Sequence, residues 1–173
     1  MGIGKLVLRL VVGSVFAVHG LQKLTGEFGG SGLAGTEKIM EATRMYPARR
    51  NALFVALGET LSGLGIILGV ATPLSVGVAT ATMATAIRKV HGKNGFMNSK
   101  GGYEFNVTLT AAAAALAIDG PGPISLDAVV GKSRWGLFWG AFAVIGGIIA
   151  SSFAIEAGEA NAPDVPAAEK SAS

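Results

Sequence analysis

The stretch from Ile3 to Leu24, IGKLVLRLVVGSVFAVHGLQKL, has the length of a membrane span yet carries Lys5, Arg9, His19 and Lys23. At about 100° of rotation per residue these four side chains fall within an arc of roughly 80°, with apolar residues around most of the remaining circumference. A charge at bilayer depth costs roughly 2.5 to 3.5 kcal/mol or more unless it faces protein or water. The stripe therefore predicts a helix whose polar face turns into a bundle.

Composition supports lipid as the solvent: 50% of residues are hydrophobic, 14% are charged and 26 are glycine, with a mean hydropathy of +0.53. Glycine is common in membrane helices because it lets backbones approach closely. The net charge is only +3, and the basic residues flank apolar stretches rather than forming a dense patch. Nucleic acid is thus not an expected partner. With no cysteine in the chain, disulfides, thiol relays and cysteine-ligated clusters are excluded, and any thiol chemistry must belong to a partner.

Four further apolar stretches follow, over 51–70, 74–90, 104–118 and 135–155. Between Leu24 and the stretch over 51–70, Thr36 is expected to cap a short helix, TEKIMEATRMY, that Pro47 ends. The second stretch holds a lone acid, Glu59, beside a small-residue series of Gly58, Ser62, Gly65 and Gly69 suited to close helix contact. Thr80, Thr82 and Thr85 of the third are expected to bond to their own helix backbone. The turn-rich segment 92–103 is expected to dip Phe96 and Met97 into the bundle mouth. The fourth stretch, at about 15 residues, is short against the ~20 of a spanning helix, which predicts either a surround of protein or extension through Gly101-Gly102-Tyr103. Ser125-Leu126-Asp127 can cap a short turn.

The fold class is accordingly all-α, a polytopic membrane bundle. Its expected parts are a four-helix core over 1–128, an extra C-terminal span over 129–156 and a disordered tail over 157–173. Five crossings put four of the 14 Lys and Arg on the side of the N-terminus and ten on the other. The positive-inside rule then places the N-terminus outside and the tail in the cytoplasm.

Up-and-down folding gathers His19, Lys23, His91, Asn94 and Glu104 toward one end, with Glu59 deeper and Arg9 deeper again. An ion pair between Glu59 and the first helix is feasible, and the aligned groups suit proton movement or a polar headgroup such as a quinone. The competing reading is structural: Arg9 snorkels or pairs with a buried acid, Lys23 is an interface residue, and His91 and Asn94 shape a loop. Glu104 would favour the helix dipole. No metal site is expected, and two histidines without further signature do not suggest haem. Gly30-Ser31-Gly32-Leu33-Ala34-Gly35 follows a membrane span rather than a strand, so it is not read as a dinucleotide motif. Asn106-Val107-Thr108 is read as a chance glycosylation sequon.

Taken together, Arg9, the run from His19 to Leu24, Phe28-Gly29-Gly30 with Gly35-Thr36, Gly58-Glu59 and Thr72-Pro73-Leu74 resemble the DoxX family of bacterial membrane proteins. The second half agrees through His91-Gly92, Asn94-Gly95-Phe96, Gly101-Gly102-Tyr103-Glu104, Gly120-Pro121-Gly122 and Ser125-Leu126-Asp127. The resemblance implies a four-helix bundle in the cytoplasmic membrane. It also implies kinship with the small membrane subunit of thiosulfate:quinone oxidoreductase, and hence a protein partner of redox or respiratory type. Independent activity is not expected from a chain without a cofactor site of its own. The leading expectation is an anchoring subunit of a redox complex that contributes a quinone or proton site. The alternatives are a small-solute or proton transporter using Glu59 and a purely structural accessory subunit.

Overall fold

The computed structural model describes residues 2–164, and they form helices joined by turns. The elements are α1 (Ile3–Leu24), α2 (Gly32–Ala42), α3 (Ala48–Leu68), α4 (Thr72–Ala86), α5 (Glu104–Asp119), α6 (Leu126–Val129) and α7 (Leu137–Ala160). A π-helical turn, Ile87–His91, continues α4. Among the described residues, α1, α3 and α7 are long and apolar enough to cross a membrane. α4, at 15 residues before its π-helical extension, and α5, at 16, are shorter.

α1 packs along α3 and α4 along α7, with α5 against α4, α7 and α1. Small residues make these contacts possible. A Cβ added to Gly13 would lie 2.6 Å from the Gly63 carbonyl oxygen, and one on Gly147 would lie 2.6 Å from that of Gly77. The seam between α1 and α3 thus runs through Gly63 and Thr60, and the predicted small-residue series makes its close contacts with other neighbours. Gly58 faces Thr82 of α4, Gly65 lies against Ser75, and Gly69 ends α3 with a φ of 61°. Larger apolar side chains point outward, as Phe54, Leu61, Leu137, Phe138, Phe142 and Phe153 do. Small and polar residues inside with large apolar ones outside is the pattern expected where lipid replaces water.

Several local expectations hold. Thr80, Thr82 and Thr85 donate to the carbonyls of Val76, Ala79 and Ala81, and Ser125 accepts from the Ala128 amide to cap α6. Others do not. α2 starts at Gly32, so Thr36 lies inside it and donates to Gly32 O and Lys23 O instead of capping. The positive φ of Gly101 ends the preceding 3-10 turn, and Tyr103 is the N-cap of α5. α5 is therefore not lengthened by 101–103. Nor is it surrounded: Leu109, Ala113, Leu116 and Ala117 are buried while Val107 and Ile118 face outward. Phe96 and Met97, half exposed, do not enter the bundle mouth. α7 runs to Ala160, so residues 157–160 are helical and not tail. The rest of the expected disordered tail, from 165 onward, lies outside the described residues.

Candidate functional site

The polar stripe of α1 divides between the two ends of the bundle. At the end formed by the Gly-Pro turn and the start of α7, Arg9 is 2% exposed. Its Nε donates to Ile66 O at 3.0 Å, and Nη1 to Pro121 O at 3.1 Å and Ile124 O at 2.5 Å. Nη2 donates to Ile67 O. Two of these acceptors are carbonyls in the last turn of α3, which a helix cannot satisfy from within. Asp127 does the converse at the start of α4. It accepts from the amides of Ala71 and Thr72, the Thr72 hydroxyl and Trp135 Nε1, at 2.7 to 3.0 Å. A cation on a helix C-terminus and an anion on the next N-terminus match both macrodipoles. Arg9 thus neither snorkels nor shares a pocket with His19 and Glu59; it is a clamp on backbone carbonyls.

At the other end His19, Lys23, Glu59 and His91 line one cavity of about 370 Å³. Glu59 is 1% exposed, and its Oε2 accepts from Lys23 Nζ at 2.5 Å. Lys23 is therefore the partner that makes a buried carboxylate tolerable, not a bystander at the interface. His19 lies one turn before Lys23, half-buried, its ring stacked on Phe105 of α5 with centroids 5.6 Å apart. Its ring nitrogens meet no hydrogen-bonding partner among the described residues, although its backbone carbonyl is 3.4 Å from Lys23 Nζ.

His91 lines the cavity while its Nδ1 is held by the Gly101 carbonyl at 2.9 Å. Asn94 and Glu104 lie outside the lining. Asn94 Nδ2 donates to the same Gly101 oxygen, and Glu104 accepts the Asn98 amide at 3.0 Å, so both fold the 92–103 loop.

The group missed in the sequence is Asn106. It is 5% exposed, lines the cavity, and its Nδ2 donates to Met83 Sδ at 3.3 Å. Thioether sulfur is a weak acceptor, so this amide keeps most of its hydrogen-bonding capacity for something else. The available signal was its place on the same helical face as Leu109 and Ala113, which is the buried one. α2, read as a loop or interface helix, supplies Met40 and Thr36 to the same wall. Apolar flanks from Met40, Val55, Met83 and Phe105 surround a few polar groups, the usual make-up of a small-molecule site. Among the described residues no cluster of metal-ligating side chains is present.

The DoxX family model matches residues 4–92. A Bacillus subtilis (strain 168) protein named "Putative oxidoreductase CatD" is 33% identical over 133 residues, which is 76% of this chain and 90% of that relative. "Inner membrane protein YqjF" of Escherichia coli (strain K12) is 32% identical over 138 residues, 77% of this chain and 95% of that relative. No solved structure matches.

Proposed function

Starting from membership of the DoxX family of membrane proteins, which the match and the relatives establish for this chain, we propose an integral membrane subunit of a redox-linked system whose cavity holds the head of a quinone. The observation that carries this reading is the Asn106 amide, buried with only a thioether acceptor, beside Lys23 and an unpartnered His19 ring. A ring carbonyl is the acceptor these donors lack. Lys23 and Asn106 would hold the quinone oxygens, Glu59 would fix Lys23, and a His19 ring nitrogen would hold or release a proton. Bound there, a quinone supplies reversible electron and proton transfer. A chain without cysteine has no thiol of its own to oxidise, so any thiol that donates electrons belongs to a partner. The name of the Bacillus relative supports a redox setting. The excess of Lys and Arg at this end supports a cavity at the cytoplasmic face, with the N-terminus outside.

The test is purification from native membranes in mild detergent, followed by organic extraction and mass spectrometry of companion proteins. The expected result is bound quinone together with a redox protein. A protein recovered alone and without quinone would overturn the reading.

A further inference from the structure

A second cavity, of about 450 Å³, lies on the outward side of α4, with α3 and α7 as its walls. Its lining is almost entirely apolar or small, including Pro73, Gly77, Ala81, Phe142, Gly146 and Ala150. On α4 it extends from Pro73 to Thr85, about 18 Å at the helical rise. It is long, greasy and lateral, where the chamber holding His19 and Glu59 is polar and sits at the bundle end.

The two cavities share Met45, Val55, Thr82 and Thr85 in their linings, so one layer of side chains divides them. Thr85 is tied to the Ala81 carbonyl and the Ser151 hydroxyl, so the passage lies at Met45, Val55 and Thr82. Met45 is an unbranched side chain of the kind that fills irregular gaps and re-packs easily, and Val55 and Thr82 come from different helices. Gly146 opens the far wall: a Cβ added there would meet nothing within 4 Å.

Resting on the reading of the chamber as a quinone site, we infer that the two cavities form one bipartite site for a long-tailed isoprenoid quinone. The ring sits among Lys23, His19 and Asn106, and the tail passes between Val55 and Thr82 into the groove of α3, α4 and α7. The groove's length, its apolar lining and its contact with the polar chamber through a single side-chain layer select a ligand with a polar head and a long hydrocarbon tail. A tailless ring would fill only the chamber.

The experiment uses the full chain in nanodiscs and a benzoquinone whose four-isoprene tail ends in a diazirine. After illumination, adducts are mapped by mass spectrometry, with a headless diazirine lipid as comparison. Adducts are expected to concentrate on groove residues such as Ala81 and Ala150, to fall at least about fivefold with excess unlabelled long-tailed quinone, and to be lost in Gly146→Phe. Binding of a tailless benzoquinone, followed by ligand-observed NMR, is measured in parallel. Tailless binding with tail adducts scattered over outward residues such as Val11 and Leu61 would overturn the bipartite site and leave the quinone reading standing. Equal labelling of the groove by the headless lipid would also overturn it, in favour of an ordinary acyl chain. No binding of either quinone would overturn the quinone reading itself.

Discussion

Arg9 and Lys23 stand on one helix, about 21 Å apart along its axis, and both are basic groups drawn out of lipid, yet their surroundings are opposite. Arg9 spends its guanidinium on four backbone carbonyls and the Asp127 carboxylate accepts from four donors, so that end is saturated. The Lys23 end is built from side chains on α1, α3 and α5, and it keeps donors in reserve at Asn106 and His19 beside a cavity. Saturation by backbone makes a scaffold. Unused capacity beside space makes a site. The distinction depends on partners, not on residue type or depth.

The comparison breaks first at Arg9. In Arg9→Leu the carbonyls of Ile67, Pro121 and Ile124 lose their donor while Ile66 O keeps the Gly69 amide, at about 1–3 kcal/mol for each buried group left unsatisfied. The expected outcome is a loss of at least about 3 kcal/mol, seen as aggregation or a collapsed melting temperature in detergent. Arg9→Lys should recover only part of this, since an ammonium cannot reproduce the fork. At the other end the two halves of the ion pair are unequal. Lys23→Met leaves the Glu59 carboxylate buried without its cation and should cost about 3 kcal/mol in thermal unfolding. Glu59→Gln leaves a partly exposed lysine that water can reach, and should cost about 1 kcal/mol while weakening quinone binding by about tenfold. The smallest effect belongs to the surface pair of Arg49 and Glu37, where Arg49→Ala should leave the melting temperature unchanged.

How much of this was legible follows the same division. The helical bundle could be read because apolar length and the angular stripe of α1 are periodic signals carried by single segments. The gathering of His19, Lys23, Glu59 and His91 followed from counting crossings. Arg9 was misassigned because its partners are main-chain carbonyls from distant segments, and carbonyls leave no trace in residue identity. Asp127 was read as part of a local cap for the same reason; its amide donors at residues 71 and 72 are brought close only by the fold. Asn106 was read only as the first residue of a glycosylation sequon. The small-residue series was legible as a close-contact face, through which Gly58 and Gly65 meet α4; that Gly63, on another face of α3, meets α1 was not, because the series names no partner helix.

The most direct test compares the wild type with Asn106→Leu in nanodiscs, measuring long-tailed quinone affinity and thermal stability on the same preparations. Because Asn106 Nδ2 has only a thioether to lose, the melting temperature should hold while quinone affinity falls about tenfold, the equivalent of about 1.4 kcal/mol. Undiminished quinone affinity in Asn106→Leu, or a large loss of stability at unchanged affinity, would show that this end is scaffold too.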